Sequence, residues 1–325
     1  MSERTRPETP KPRFTFDQLA RHTVTVETAD GWVLHADLIE PPVHEAAVVL
    51  GHAMMLNRKR VDWPPGRGLA STLAQHGFAV LNADLRGHGE STPHASPQVD
   101  WSYDDLVFHD TPALIRAARE RWPEVPLALV GHSLFGHVAA AYVAMQPDSP
   151  VRAVVGLAAN IWLRHLEPNR LRWWRKRLYA EFVALIIAIF GYAPVRLLRQ
   201  GTDDEAATYF RQIVSWIRSG RWTTLDGRDY LAAFQSARVP ALNVVGGRDH
   251  FLCAPENAAR MWDYWGGPFE QWVIDHIWGL RYVPGHVGIA MNPACRPVWR
   301  RVAAWLRAAL EVEEQVPEVT AEDQG

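Results

Sequence analysis

The stretch LALVGHSLFG at residues 127–136 constrains the fold more than any other part of the chain. Residues 127–130 are apolar and have the composition of a buried strand, whereas residues 134–146 predict a helix. The intervening Gly-His-Ser must therefore make an abrupt turn from strand to helix. A serine at the tip of that turn, Ser133, raises its hydroxyl above the sheet, and the amide of the next residue, Leu134, points toward a carbonyl under attack. This geometry predicts a nucleophilic serine.

Four segments resemble motifs of the α/β-hydrolase superfamily and occur in its order. GHSLFG resembles the GxSxG nucleophile elbow, and NADLRGHGES at residues 82–91 resembles the DxRGxGxS segment that follows an earlier strand. VVGGRDHF at 244–251 and PGHVGIA at 284–290 extend the resemblance to about residues 24–310. It implies an α/β class and an α/β-hydrolase fold, with a mostly parallel central sheet flanked by helices and an inserted helical cap. The segments look most like the group of monoacylglycerol lipases and serine aminopeptidases.

One position departs from the superfamily pattern. A glycine usually stands two residues after the nucleophile, but here that residue is Phe135, and Gly136 follows it. We therefore expect a wider turn at the elbow. Because of this departure, an alternative function remains open: a non-catalytic protein that keeps the hydrolase fold and uses its cavity as a ligand cup, to bind a ligand. A further alternative is that Ser133 only caps the helix, since serine is a common cap residue.

Length and composition are those of a globular chain. The 325 residues, 48% of them hydrophobic, suffice for one large domain with an insertion or for two modest domains. The formal net charge of −2 gives no electrostatic reason to expect a nucleic-acid partner. Cys253 and Cys295 lie far apart without a histidine at metal-ligand spacing, so neither a disulfide framework nor a zinc site is indicated. No metal or organic cofactor is expected.

Two features bear on membranes. The N-terminus lacks the apolar core of a signal peptide, which predicts a cytoplasmic protein. The longest apolar run, residues 182–195, is shorter than the roughly 18 residues of a membrane span. Basic side chains between residues 170 and 177 precede this run and resemble an interfacial segment that could lie on anionic lipid. Contact of the cap with a membrane surface is the less favoured alternative to an ordinary solvated surface.

The pattern of elements divides the chain into four parts. Residues 1–20 are expected to be flexible, and residues 311–325 to form a disordered acidic tail. Alternating strands and helices at residues 21–160 and 236–310 predict the α/β-hydrolase core. Between them, residues 161–235 lack this alternation and hold helical segments instead. Related hydrolases commonly carry a cap at this point of the chain, which implies that residues 161–235 are the cap.

Inside the core, unbroken apolar runs are typical of buried parallel strands, and the first two strands form an antiparallel hairpin. Strands are predicted at residues 23–27, 32–39, 46–50, 79–83, 127–130, 151–157 and 241–245. Core helices are predicted at residues 69–75, 103–121, 134–146 and 303–310.

The resemblance assigns the triad acid to Asp249. This aspartate follows the predicted strand 241–245, at whose carboxyl end the family places its acid. A carboxylate there orients the imidazole and stabilises the imidazolium that forms. Asp263 and Asp275 are alternatives in weaker positions. In the DLRGHGES segment, Asp84, Arg86, Gly87 and His88 are expected to have structural roles, and His88 as the catalytic base is the less favoured alternative.

Two histidines compete as the catalytic base. His286 lies in PGHVGIA, where Gly285 and Gly288 free the backbone to reach across the sheet toward Ser133. His276, in VIDHIWG, is the alternative and is otherwise expected to be buried or to act from behind the site. GHVG also looks like the segment that carries the histidine in related hydrolases, and we favour His286.

The oxyanion hole and substrate contacts follow from the resemblance. The loop after strand 46–50 commonly supplies the second oxyanion amide, which implies Met54 beside Leu134. Substrate contacts are predicted at His52, Ala53, His132, Trp162 and Trp173. The aromatic residues of the cap indicate an apolar pocket. The predicted reaction is hydrolysis of a small-molecule carboxylic ester with an apolar acyl or alcohol part through an acyl-enzyme. Acyl transfer and peptide hydrolysis are the alternatives.

Overall fold

The computed structural model describes residues 10–312 and contains one eight-stranded sheet. The strands are β1 (Ala20–Glu27), β2 (Val33–Glu40), β3 (Ala46–Gly51), β4 (Phe78–Ala83), β5 (Leu127–His132), β6 (Val151–Leu157), β7 (Ala241–Gly246) and β8 (Phe269–Ile274). Their order across the sheet is β1-β2-β4-β3-β5-β6-β7-β8. β2 pairs antiparallel with β1 and β4, and all other pairs are parallel. This is the predicted mostly parallel sheet.

Helices cover both faces of the sheet, and this explains the unbroken apolar sequences of its inner strands. Every residue of β3, β4, β5 and β7 is buried. The helices are α1 (Arg58–Val61), α2 (Leu69–Gln75), α3 (Tyr103–Asp105), α4 (Thr111–Arg121), α5 (Leu134–Met145), α6 (Arg170–Phe190), α7 (Ala207–Ser219), α8 (Tyr230–Ala233), α9 (Pro255–Trp262), α10 (Gly288–Met291) and α11 (Arg296–Ala309).

The helix predicted over residues 103–121 is divided in the structure. A π-helical stretch, Leu106–Asp110, separates α3 from α4. Pro112 has no N–H and cannot continue the usual hydrogen-bond ladder, so the wider turns before it have a local cause. The Leu106 carbonyl accepts the Thr111 amide and also the Thr111 hydroxyl, the latter at 2.8 Å.

The N-terminal segment is more ordered than predicted where it is described. The amides of Arg13 and Phe14 donate to the Gln75 carbonyl at 2.9 and 3.1 Å. A short 3-10 helix, Phe16–Gln18, then leads into β1. These contacts join residues 13–20 to the rest of the fold, whereas flexibility in the remainder of residues 1–20 stays a prediction. The predicted acidic tail lies outside the described residues from position 313 onward.

The segment between β6 and β7 holds α6, α7 and α8, and it includes the residues predicted as the cap. A buried ion pair joins it to the core, because His88 Nε2 lies 3.1 Å from a carboxylate oxygen of Glu205. In the same DLRGHGES segment, Arg86 bonds Asp30 and Asp110, and Asp84 pairs with Arg58. These contacts are structural, as expected for the segment. Within residues 10–312, none of the helices has the length and apolar character needed to span a membrane.

Candidate active site

Ser133 lies at the point where β5 turns into α5. Its backbone angles are φ 49° and ψ −102°, a left-handed φ that is strained for a residue with a side chain. The Ser133 amide donates to the Leu157 carbonyl of β6 at 2.8 Å, which holds the strained turn against the neighbouring strand. The sequence therefore forms the abrupt elbow that the Gly-His-Ser turn predicts.

The elbow is not widened by Phe135, contrary to expectation. A Cβ on Gly131 would lie only 2.3 Å from the Gly136 nitrogen, so the strand and the helix approach closely. The ring of Phe135 is fully buried and occupies the space above Gly51 of β3, where a Cβ would lie 2.2 Å from its Cγ. A glycine on the adjacent strand thus makes room for the phenylalanine, and a glycine at position 135 is not required.

His286 connects the Ser133 hydroxyl to the Asp249 carboxylate. Its Nε2 lies 2.9 Å from Ser133 Oγ, and its Nδ1 lies 2.6 Å from Asp249 Oδ2. An ionised carboxylate only accepts hydrogen bonds, so Nδ1–H donates to Asp249 and Nε2 is left to accept the serine proton. The structure brings together the three side chains that the sequence suggested as a triad.

Backbone amides fix the carboxylate of Asp249 in place. Its Oδ1 accepts hydrogen bonds from the amides of Leu252 and Cys253, both at 3.0 Å. Burial would raise the pKa of Asp249, but the hydrogen bond and the electrostatic interaction with His286, together with the Cys253 amide, lower it below its ordinary value. The group is therefore an anion at neutral pH that can orient the imidazole.

The alternative residues lie elsewhere. His276 is exposed at the start of a 3-10 helix after β8, contrary to the expectation of burial. Asp275 caps that helix through a hydrogen bond from the Ile277 amide, and Asp263 follows α9. The Nε2 atom of His88 is hydrogen-bonded to the Glu205 carboxylate at 3.1 Å. None of these residues hydrogen-bonds Ser133 within residues 10–312.

An apolar cavity of about 410 Å³ opens on Ser133 and His286. Side chains of α6 and α7 form much of its wall, and the loop after β3 contributes the rest of one side. Trp162 lines it, as predicted, and its indole N–H donates to the Leu252 carbonyl at 2.8 Å. Ala53 and Met54 also line it. A second groove of about 730 Å³ near Arg164 has no triad residue in its wall.

Three predicted substrate contacts lie behind the cavity wall. His52 is buried, and its ring bonds the Ala53 carbonyl and the Leu85 amide, so it braces the loop after β3. His132 donates from Nε2 to the His286 carbonyl at 3.0 Å. Trp173 packs α6 against α7. The predicted substrate role of these residues is therefore replaced by a supporting one.

Burial sets the charge of the two supporting histidines. It lowers the pKa of His52 and of His132 to about 3, and the neighbouring imidazoles, His88 and His286, add to the effect. Both rings are neutral at physiological pH. They can hold the backbone around Ser133 without adding positive charge to the site.

The two predicted oxyanion residues lie at the start of α5 and in the cavity wall. Leu134 is the first residue of α5, where an N–H has no partner within the helix. Met54 lies in the cavity wall, and the loop around it is held by a 2.6 Å hydrogen bond from the Met55 amide to Glu205. The Phe135 amide also donates to the His52 carbonyl at 3.2 Å, which ties this loop to the elbow.

Sequence reasoning missed His137, which lies one helical turn after Ser133 and lines the cavity. The Tyr103 hydroxyl is buried 3.0 Å from His137 Nδ1 and has no other acceptor among residues 10–312, so it donates to that nitrogen. The proton of His137 then lies on Nε2, for which no hydrogen-bond partner is found among residues 10–312, and the ring lines the cavity. Burial lowers the pKa of His137 to about 3. The sequence signal that could have identified His137 is its spacing: it lies four residues after Ser133 and therefore on the same face of α5.

Only one group of side chains in the described residues has the spacing of a metal site. Ligand atoms of Asp30, Asp105 and His109 lie within 4.8 Å of one another. Asp30, however, accepts two hydrogen bonds from Arg86 at 2.8 and 3.0 Å. A cation would have to displace this guanidinium, so the ion pair accounts for the cluster.

A serine elbow at the end of a central parallel strand, below a helical segment and a cavity, is the arrangement that defines α/β hydrolases. The serine aminopeptidase S33 family model matches residues 44–267, and the chain belongs to this family. It is therefore a hydrolase of the α/β-hydrolase superfamily.

Solved structures share the fold at low sequence identity. An esterase from Pyrococcus furiosus has 19% identity and a TM-score of 0.61, with 94% of this chain and 97% of that chain covered. A hypothetical protein from Pseudomonas aeruginosa has 18% identity and a TM-score of 0.63, with 95% and 100% covered. A putative aryl esterase from Burkholderia cenocepacia has 19% identity and a TM-score of 0.56, with 89% and 100% covered. No curated protein matches the chain.

Proposed function

We propose that the protein is a serine hydrolase that cleaves a carboxylic ester with an apolar acyl or alcohol part. The observation that carries the proposal is the hydrogen-bonded chain from Ser133 through His286 to Asp249, which opens on an apolar cavity. The cavity volume falls within the usual range for small-molecule sites. The names of two structural relatives, an esterase and a putative aryl esterase, agree with an ester substrate.

In the proposed mechanism, Nε2 of His286 takes the proton of the Ser133 hydroxyl as its oxygen attacks the ester carbonyl. Asp249 holds the imidazole in the tautomer that accepts this proton and stabilises the imidazolium. The amides of Leu134 and Met54 stabilise the oxyanion, and one such donor typically contributes about 10²–10³ in rate. The alcohol leaves with the proton from His286, and water then attacks the acyl-enzyme with His286 as base.

A fluorophosphonate probe tests the nucleophile directly. The wild type should be labelled and Ser133→Ala should not, while the two have the same circular dichroism spectrum and melting temperature. An unlabelled wild type would instead support a non-catalytic ligand cup.

The base is tested by a matched pair of histidine variants. His286→Ala should lower kcat for p-nitrophenyl esters by at least about 10³-fold, because the serine loses its proton acceptor. His276→Ala, at an exposed position, should retain most of the activity. The reverse result would transfer the base to His276.

Substrate class is tested by graded p-nitrophenyl esters together with aminoacyl amides. Faster hydrolysis of the amides would favour a peptidase, in line with the name of the family. Acyl transfer is tested by adding competing alcohols and amines. If free acid is the sole product, the acyltransferase alternative is rejected.

A further inference from the structure

Helix α6 carries an uncovered row of large apolar side chains. They lie three or four positions apart and therefore share one face of the helix. Their exposed fractions range from 55% to 73%; the residues are Leu171, Trp174, Leu178, Phe182, Leu185 and Ile189. We name these six residues the outer stripe. It runs for about 27 Å, given a rise of about 1.5 Å per residue.

The opposite face of α6 accounts for the packing of the helix. Its buried residues include Trp173 and Ala180, which pack against α7, and Ile187. The outer stripe therefore does not contribute to the contacts that hold the helix in place. A contiguous apolar patch of this kind on a protein surface usually marks an interaction site.

Arginines flank the outer stripe without matching acidic groups. Arg170 and Arg175 form no ion pair within residues 10–312, and the charge of Arg177 acts on Glu181, where it helps to lower the pKa of that carboxylate. The sole acidic residue of α6, Glu181, is already paired with Arg218 of α7 at 2.5 Å. The surface thus combines large apolar side chains with uncompensated positive charge. This combination is typical of helices that lie in the headgroup region of an anionic membrane.

The charge pattern favours lipid over a second copy of the chain. Pairing two α6 helices side by side would place arginines against arginines in the parallel arrangement. In the antiparallel arrangement it would place them against a half-helix whose one acidic side chain is already paired. Anionic lipid headgroups supply the missing negative charge, and the acyl chains can cover the apolar stripe.

The same helix also forms the cavity wall. Tyr179 and Val183 line the cavity from α6, and Arg175 lies over the ring of Phe251, another lining residue, at 5.4 Å. Val287, next to His286, lines the cavity and is 47% exposed, so part of the rim is apolar. A helix that touched lipid with its outer stripe would hold this rim close to the lipid surface.

We propose that the outer stripe of α6 docks the protein on an anionic lipid surface, with the helix lying in the plane of the headgroups. An apolar ester dissolved in that surface would then be close to the cavity. The delivery of the ester rests on the proposed function, whereas the docking does not.

The test is flotation of the full chain with phosphatidylcholine vesicles, with and without phosphatidylserine. Wild type should float with the anionic vesicles, bind the neutral ones more weakly, and dissociate as salt is raised. The variant Leu178→Gln/Phe182→Gln/Leu185→Gln should bind at least about tenfold more weakly, because three apolar side chains are lost from the interface. A matched control replaces exposed apolar residues elsewhere, with Val43→Gln/Leu225→Gln, and should bind as wild type does.

The charge contribution is tested separately. Arg175→Gln should weaken binding to anionic vesicles about fivefold and leave binding to neutral vesicles nearly unchanged, since one basic residue contributes about 1 kcal/mol near such a surface. Arg152→Gln, at an exposed position on β6, is the control and should have no effect.

Two results would overturn the proposal. One is a wild type that stays with the soluble fraction at low salt. The other is a concentration-dependent dimer that the triple stripe variant abolishes, without vesicle binding, which would assign the stripe to a second copy. Docking should persist in Ser133→Ala, and the stripe variant should still react with the fluorophosphonate probe. Failure of the docking and failure of the hydrolase proposal are therefore distinguishable.

Discussion

Helices α5 and α6 are both rich in apolar residues but use them in opposite ways. All residues of α5 from Leu134 to Ala144 are buried, because the helix lies on the sheet and other helices cover its outer side. In α6, which is nearly twice as long, only Trp173, Lys176, Ala180 and Ile187 are buried. Helix α5 is therefore part of the core that fixes the position of Ser133. α6 contributes one face to the cavity and leaves the other uncovered.

Placing the same polar residue, glutamine, in α5 and in α6 should give the greatest contrast in the free energy of unfolding. Val138→Gln should lower the free energy of unfolding by about 3–5 kcal/mol, because it buries an unpaired amide and crowds a closed space. Leu178→Gln, at a position that is 73% exposed, should change it by no more than about 0.5 kcal/mol. Urea unfolding of the two variants measures the contrast. Equal destabilisation would mean that the outer stripe is covered in solution.

A double-mutant cycle tests how closely Phe135 of α5 packs against Gly51 of β3, with the free energy of unfolding as the measured quantity. Gly51→Ala should cost about 2–3 kcal/mol, since its methyl group would overlap the Phe135 ring. Phe135→Ala should cost about 3–5 kcal/mol through the cavity it leaves. The double variant should cost less than the sum, because the new methyl group enters the vacated space. Additive costs would show that the two residues do not share this space.

The buried contact between His88 and Glu205, which joins the core to the segment between β6 and β7, should depend on pH. Burial would lower the pKa of His88, but the charge of Glu205 and its hydrogen bond raise it to about 9. The folded state therefore holds this proton more tightly than the unfolded state. The resulting stabilisation is complete below the unfolded pKa, about 6.5, and is lost as pH rises through about 9.

Between pH 6 and pH 8, this linkage should reduce the free energy of unfolding by about 1–2 kcal/mol. His88→Gln keeps a hydrogen-bond donor for Glu205 but does not titrate, so its stability should lack this decline. The measurement is urea unfolding of both proteins at each pH. The same slope in the variant would assign the effect to other groups.

The smallest predicted effect concerns His137, which gives α5 a polar side chain at the cavity. Its Nε2–H can donate to a second oxygen of the substrate. His137→Phe should lower kcat/KM for p-nitrophenyl 3-oxobutanoate about two- to tenfold relative to p-nitrophenyl butanoate, since one hydrogen bond contributes about 0.5–1.5 kcal/mol. An unchanged ratio between the two esters would exclude this contact.

Elements with strong local signals were predicted well. The strand at residues 151–157 and the helix at residues 69–75 have the bounds of β6 and α2. Strand β8 and helix α9 were not predicted. β8 is half-exposed along most of its length and lacks the unbroken apolar run of the inner strands, so it becomes recognisable through its pairing with β7.

In the candidate site, too, residues in segments with a local sequence signal were predicted, whereas contacts that depend on distant parts of the chain were not. Ser133, Asp249 and His286 were predicted from short segments that resemble motifs of the superfamily, and in the structure hydrogen bonds join the three side chains. His52, His132 and Trp173 were expected to contact substrate, but their side chains bond or pack behind the cavity wall. Sequence position brought these residues near the site, and the direction of each side chain depended on neighbours distant in the chain.

Local periodicity and short motifs in the sequence were enough to predict seven of the eight strands, the elbow at Ser133 and the resemblance to α/β hydrolases. The tertiary structure decided which imidazole meets the hydroxyl, how Gly51 makes room for Phe135, and that the outer stripe of α6 is left uncovered. An apolar helical face in a sequence indicates a surface to be buried. Whether another part of the chain covers it depends on packing between segments that the sequence does not place side by side.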